Sequence, residues 1–220
     1  MVESRRDESL HLAVQRFADW RQVMDKIEPT TLVLSTDCRD IVFQKDPFAM
    51  RLPADNYYPA WEGIMHKDDP WAVDTCRANF PDELGWIKDR RSYCAGTILG
   101  GWWIMRELFG MIFRVSVTGA NHRTIPSDQC AFNLLTNQVT TGSKAIPVPW
   151  LSCTCGTWLV DKFRDKLGDP QPTIKDGVVG DFALVHQYER VPGLAQAIVD
   201  RYCRAPEQEP EKTGEYSGLP

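Results

Sequence analysis

The run Thr31-Leu32-Val33-Leu34-Ser35 constrains the fold more than any other segment. It is apolar, β-prone and without polar alternation, which predicts a central strand buried on both faces. An amphipathic stretch precedes it. Leu10, Ala13, Val14, Phe17, Met24 and Ile27 recur at steps of mostly three to four residues, with Arg16, Asp19, Arg21 and Asp25 between them, which predicts a helix over 10–27. Glu28-Pro29 ends it, because the residue before a proline avoids the helical region. A helix followed by a buried strand is half of a parallel crossover unit. The expectation is therefore an α/β fold with a mixed, mainly parallel sheet flanked by helices.

The strand feeds directly into Thr36-Asp37-Cys38-Arg39-Asp40. In open α/β sheets, ligands bind beyond the carboxyl ends of the strands. Two carboxylates on a tight turn at such a place can hold a hard divalent cation, Mn²⁺ or Mg²⁺, which in turn neutralises a diphosphate. The plainer alternative is that Asp37 and Asp40 cap turns and pair with Arg39. His186 closes a second predicted strand, Phe182 to His186, and becomes a plausible third ligand beside two aspartates; alone it would be a structural hydrogen-bonder.

Other elements follow from spacing. Ser92 to Gly101 predicts a strand closed by glycines, and Trp102 to Val117 a helix with Trp102, Met105, Phe109, Ile112 and Phe113 as its buried stripe. Ser127 is the expected N-cap of a helix that opens on Asp128-Gln129. The helix dipole favours an acid at that position by up to about 1 kcal/mol, so Asp128 reads either as a capping residue or as a base or sugar ligand facing a hydroxyl. Gly96, between Ala95 and Thr97, would let a ligand approach the backbone closely. Leu194 to Tyr202 reads as a closing helix. Residues 51–92, rich in Pro, Asp and Trp, predict a long surface excursion with one short helix. Cys153-Thr154-Cys155 lacks the second Cys/His pair that a zinc site needs.

In domain terms, 1–9 is expected to be disordered, 10–204 to form one domain, and 205–220, with three prolines and four glutamates, to be a disordered tail. A net charge of −5 argues against a nucleic-acid or anionic-membrane partner. No run of about 18 apolar residues offers a membrane span. Seven cysteines with no export signal in Met1 to Glu8 predict reduced thiols and a cytoplasmic setting.

Four segments, taken together, resemble a family. Val33 to Phe48, with Asp37-Cys38-Arg39-Asp40-Ile41-Val42-Phe43-Gln44-Lys45-Asp46-Pro47, is similar to the metal-site segment of nucleotide-diphospho-sugar glycosyltransferases of the GT-A fold, in the group whose motif runs Asp-x-Arg-Asp, two apolar residues, Phe-Gln, then Asp-Pro. Cys94 to Gly100 resembles that family's small-residue strand beside the donor sugar, and Ser127-Asp128-Gln129 its Asp-Gln helix start. Ile174 to Gly177 and Phe182 to Arg190 resemble its closing segment. The first and last matches are specific, the middle two weak alone, and together they span roughly residues 10 to 202.

The resemblance implies a GT-A-like fold. It implies Asp37, Asp40 and His186 as metal ligands for Mn²⁺ or Mg²⁺, with Asp40 the direct ligand and Asp37 at the ribose or a metal-bound water. It implies Asp128 as the catalytic-site acid near the donor sugar and acceptor, and Arg39, Ala95, Gly96, Thr97 and Gln129 as substrate contacts. The implied partners are a nucleotide-sugar donor and a hydroxyl acceptor, and the transition state is oxocarbenium-like. The family usually places two or more β-α units before the metal motif. Only about 36 residues precede Asp37 here, so the first nucleotide-binding strands are expected to be missing and nucleotide-sugar binding to be weak. Two other readings stand beside this one. One is a non-catalytic sugar-binding or interaction module of the same fold. The other is a metal-dependent phosphoesterase, disfavoured because the further Asp and His residues of a two-metal site are lacking.

Overall fold

The computed structural model describes residues 6–29, 32–138, 151–166 and 171–203. The expected tail, 205–220, and the first five residues lie outside the described residues. Residues 6–9 run beside the first helix, where the Asp7 N–H donates to Gln15 Oε1 at 3.0 Å.

Helix α1 (Leu12–Met24) follows His11, whose Nδ1 accepts the Ala13 N–H. Val14, Phe17 and Met24 form its buried stripe, as their spacing requires. Strand β1 (Leu32–Thr36) comes next, then a turn, then β2 (Ile41–Phe43). After a 3-10 turn at Pro47–Met50, capped by Asp46, the chain enters β3 (Tyr57–Met65). Helices α2 (Pro70–Asn79) and α3 (Pro81–Ile87) lead into the long β4 (Arg91–Gly101) and α4 (Trp102–Ser116). Helix α5 (Asp128–Gln138), β5 (Ser152–Thr154), a single turn α6 (Cys155–Trp158), the hairpin β6 (Ile174–Lys175) with β7 (Val178–Val179), β8 (Leu184–His186) and α7 (Leu194–Tyr202) complete it.

The fold is mixed α/β, but the expected mainly parallel sheet is corrected. One sheet has the order β1-β4-β3 and is antiparallel throughout; a second has the order β2-β8-β5, in which β5 with β8 is the one parallel pair among the described residues. Strand β1 is an edge strand, half-buried along its length, rather than a central one. The physical reason is visible in its packing. Leu32 and Leu34 meet one apolar cluster, around Tyr58, Leu99 and Leu184, while Val33 meets the other, around Phe17, Ile98 and Phe109. Both faces are apolar, so alternation is lost, although among the described residues β4 is the one strand that pairs with it.

The surface excursion expected over 51–92 is also corrected. Nearly all of β3 is buried, and it pairs with β4 at the heart of the molecule; Pro59 and Gly63 fall where the β3–β4 register slips, as bulges accommodate such residues. The main core lies where α1 and α4 cover β4, with Phe17, Met105, Phe109, Ile112 and Phe132 packed together. Trp102, Met105, Phe109 and Ile112 supply the buried stripe of α4, with Phe113 at its margin.

The expectation of reduced thiols is corrected as well. Cys76 of α2 and Cys130 of α5 form a disulfide with Cα atoms 5.5 Å apart. Such a bond suits an oxidising environment, which removes one ground for a cytoplasmic setting. Among the described residues, no helix is long and apolar enough to cross a membrane.

Candidate functional site

The candidate site forms where the chain passes from one sheet to the other. Asp37 follows the last residue of β1, and its N–H donates to the Gly96 carbonyl at 2.8 Å, extending the pairing with β4 by one step. Asp40 precedes β2. The register of β2 sets Ile41 opposite His186 of β8, and the Gln187 N–H donates to the Asp40 carbonyl at 2.8 Å. Backbone pairing in two separate sheets thus delivers both aspartates and the histidine to one point.

Their side chains meet there. His186 Nε2 stands 3.3 Å from Asp37 Oδ2 and 3.6 Å from Asp40 Oδ1. One ligand atom from each of the three residues lies within 4.8 Å of the others. Adjacent ligands around an octahedral cation with bonds near 2.1 Å sit about 3 Å apart, so the observed spacing is close to what a divalent ion requires. His186 is 1% exposed, and its buried Nε2 has the two carboxylates as its polar neighbours. A buried imidazole nitrogen facing two carboxylates fits a ligand set of mixed oxygen and imidazole donors. On the other side of the ring, Nδ1 lies 3.4 Å from Cys94 Sγ, the kind of outer contact that fixes a ligating imidazole.

Gly96 makes this meeting possible. A Cβ at that position would lie 2.4 Å from Asp37 Oδ2 and 2.9 Å from His186 Cε1. The small residue in the strand is there for the protein's own side chains to close over it.

Arg16 of α1 was not singled out from the sequence, yet it ties the site together. Its guanidinium forms an ion pair with Asp37 and a second with Asp128 Oδ2 at 2.7 Å, and it reaches the Ala95 carbonyl at 3.5 Å. It also stacks over Phe17 and Trp20. Asp128 opens α5 and is only 3% exposed. Ser127 precedes it, with its hydroxyl donating to the Ser116 carbonyl. Gln129 accepts the Ala95 N–H at 2.8 Å and donates to Glu62 at 3.2 Å, and Ser92 donates to the other Glu62 oxygen at 2.6 Å. A chain of hydrogen bonds therefore runs from β4 through α5 to β3.

These contacts set the ionisation of the acids. Burial pushes Asp128 up from the usual carboxylate value, and Arg16 only partly opposes it. Burial acts on Asp37 in the same direction, but hydrogen bonding to His186 and the charge of Arg16 outweigh it, so Asp37 is held low. For His186, burial alone would favour the neutral ring; Cys94 and Asp37 outweigh it and push the imidazole up to about 11. Without a cation, the site balances its carboxylates with its own imidazolium and guanidinium.

The residues face a cleft of about 410 Å³, lined by Asp37, Gly96, Asp128, Gln129 and His186 together with Arg16, Glu62, Asp69, Trp71 and Arg190. Asp37 also borders a second cavity of about 460 Å³, with Cys38, Arg39, Asp40 and Glu189. The structure thus gathers Asp37, Asp40, His186, Gly96, Asp128 and Gln129, and puts Arg39 on the adjoining cavity. Ala95 packs into the main core and Thr97 is fully buried; neither side chain lines the cleft. Alternation along β4 explains this, since Cys94 and Gly96 face the cleft and their neighbours face away. Glu62 carried one overlooked sequence signal: it is the acid in an otherwise apolar run, Tyr57 to Ile64. Arg16 and Trp71 carried none that separates them from ordinary surface residues. The chain matches no family model, no curated protein and no solved structure.

Proposed function

We propose that this chain is a metal-dependent glycosyltransferase domain, moving a sugar from a nucleotide-diphosphate donor to a hydroxyl acceptor. The observation that carries the reading is the convergence of Asp37, Asp40 and His186 within 4.8 Å at the wall of a cleft that also holds Asp128. The four segments that resemble GT-A glycosyltransferases supply the reaction class. Asp37, Asp40 and His186 would hold Mn²⁺ or Mg²⁺, whose charge stabilises the departing diphosphate.

The chain's own groups then have distinct tasks. Arg16 orients Asp37 and Asp128 at once, because one guanidinium bonds both. As the acceptor oxygen bonds to the anomeric carbon, the bond from that carbon to the diphosphate oxygen breaks and its electron pair leaves with the diphosphate. The acceptor proton passes to Asp128. Burial raises the pKa of that carboxylate against the opposing charge of Arg16, which makes it a stronger proton acceptor once ionised.

The non-catalytic alternative draws on one observation: Arg16 already pairs with Asp37, so the carboxylates are balanced without any cation. One experiment separates the two. Uridine and guanosine diphosphate sugars are incubated with the protein and Mn²⁺, and free sugar and nucleoside diphosphate are measured. A transferase leaks sugar to water; a binding module does not. The expected result is Mn²⁺-dependent release that Asp40→Asn lowers by at least about a hundredfold with the fold retained. Failure to turn over any donor, together with no Mn²⁺ uptake in a calorimetric titration, would refute the reading.

A further inference from the structure

The cleft and the second cavity meet at Asp37, and their linings differ in chemistry. The cavity beyond Asp37 is lined by Cys38, Arg39, Asp40 and Glu189. The cleft offers Asp37, Glu62, Asp69 and Asp128 against Arg16 and Arg190, and it carries Trp71. Trp71 is 51% exposed. Its place is fixed by the start of α2: Pro70 sits in the first turn, and the Asp69 carboxylate caps the helix by accepting the Trp71 N–H at 3.0 Å. A large indole carried on a capped helix start, yet left half in water in a cleft lined with carboxylates, offers a platform for a ligand with an apolar face.

The chemistry of the lining selects the ligand class. Away from the Asp37–Asp40–His186 cluster, where a cation would offset the charge, a nucleotide would bring phosphates against Glu62, Asp69 and Asp128, and like charges repel. A neutral pyranose does not. It has one apolar C–H face that can lie on an indole, and a rim of hydroxyls that carboxylates accept from and arginines donate to. We propose that Trp71, with Asp69 and Asp128 lining the same cleft, forms the subsite for a saccharide acceptor. The donor diphosphate then lies across Asp37 in the cavity with Arg39. The assignment of this subsite to the acceptor rests on the glycosyltransferase reading; the affinity for a saccharide does not.

The wall that carries the subsite is braced independently of the cation site. Cys76, on the same helix as Trp71, is bonded to Cys130, two residues from Asp128. The disulfide therefore fixes the platform and the carboxylate relative to each other. That is the rigidity needed to present an acceptor hydroxyl at a fixed depth.

The test has two arms. In the binding arm, methyl glucoside, methyl galactoside and methyl mannoside are titrated against the wild type, Trp71→Phe and Trp71→Ala, read by calorimetry and saturation-transfer NMR. At least one glycoside should bind; Phe should weaken it a few-fold and Ala at least about tenfold. No binding by any of the three, or equal binding to the Ala variant, overturns the proposal. In the transfer arm, the same glycosides serve as acceptors with the donor that the wild type turns over. The ratio of sugar delivered to glycoside over sugar delivered to water should fall at least about tenfold in Trp71→Ala and recover in Trp71→Phe. A rise in the KM of the nucleotide sugar at unchanged ratio would assign Trp71 to the nucleobase instead and overturn the proposal. If no donor is turned over at all, the glycosyltransferase reading fails, and the binding arm still decides whether Trp71 forms a saccharide site.

Discussion

The two walls of the cleft are built on different principles. The cation wall stands on the ends of strands five and three residues long, brought together by pairing in two sheets. Its side chains are held by charge. The facing wall stands on α2 and α5, joined to each other by a disulfide, with α5 tied to β3 and β4 by the hydrogen bonds of Gln129, Glu62, Ser92 and Asn133. Its side chains are held by covalent and neutral contacts. The difference suggests a division of labour: the helical wall is braced by a covalent bond and hydrogen bonds, and the strand-end wall by ion pairs whose partners a ligand can exchange. Arg16 is the exception, since it bonds one carboxylate on each wall.

The largest expected effect tests the helical wall. The Cys76–Cys130 bridge closes a loop of 54 residues, and on the chain-entropy account its loss costs roughly 4 kcal/mol. For a chain of this size that is a fall in Tm of about 10 °C. Thermal melts of Cys76→Ser/Cys130→Ser, or of the wild type with and without reductant, check it. Mn²⁺ affinity measured well below the melt should stay within a few-fold, because the ligands belong to the other wall. Equal losses of stability and cation affinity would break the comparison.

Arg16→Met comes next. It leaves Asp128, 3% exposed, as a buried carboxylate without its counter-charge. Removing one partner of a buried pair costs 3–5 kcal/mol, and the side chain of Arg16 is 24% exposed, so about 3 kcal/mol is expected. The deficit should shrink as pH falls, since protonation removes the uncompensated charge. Chemical denaturation at about pH 4.5 and about pH 7.5 measures it. A deficit independent of pH would mean that lost stacking on Phe17 and Trp20, rather than the charge, is what Arg16 supplies.

Gly96→Ala sharpens the comparison from the strand side. Its Cβ would fall 2.4 Å from Asp37 Oδ2, so the cost is about 2 kcal/mol by overpacking. Cation affinity should drop at least about tenfold as the carboxylate is displaced. Gly85→Ala is the control: no atom lies within 4 Å of its Cβ, and it sits within α3. It should gain up to about 1 kcal/mol and leave the cation site alone.

The same contrast explains what the sequence disclosed. Helices α1, α4 and α7 were legible because their apolar positions recur with the helical period, and that period has no other common cause. Strand β1 was legible as a strand but not as an edge, because an apolar run records that both faces are covered and says nothing of which backbone edge is paired. Strand β3 was hidden by Pro59 and Gly63, which read as loop residues when their bulge cannot be seen. On the cation wall, Asp37, Asp40 and His186 were legible, since each lies at a strand end and a motif links the first two. The helical wall was largely illegible. Its disulfide joins residues 54 apart, and Arg16 acquires its role only from two partners 21 and 112 positions away. Long-range pairing of that kind leaves no local pattern.

The smallest effect probes the hydrogen-bonded network itself. Glu62 is 5% exposed, and its two oxygens accept from Ser92 and Gln129, both neutral. Burial pushes its pKa above the usual carboxylate value, the Ser92 hydrogen bond opposes this, and the charge of Asp69 adds to it. A carboxyl whose folded pKa exceeds its unfolded value binds its proton more tightly when folded. Its contribution to stability is therefore complete below the unfolded value of about 4.3 and is lost as pH rises through the folded value. Gln at this position keeps the shape and does not titrate. Glu62→Gln should match the wild type at about pH 4 and be equal or more stable at about pH 8, by on the order of 1 kcal/mol. Urea midpoints at the two pH values, with m unchanged, decide it. If Gln is instead the less stable form at about pH 8, the charge of Glu62 is being held by the cation wall, and the two walls are one electrostatic unit rather than two.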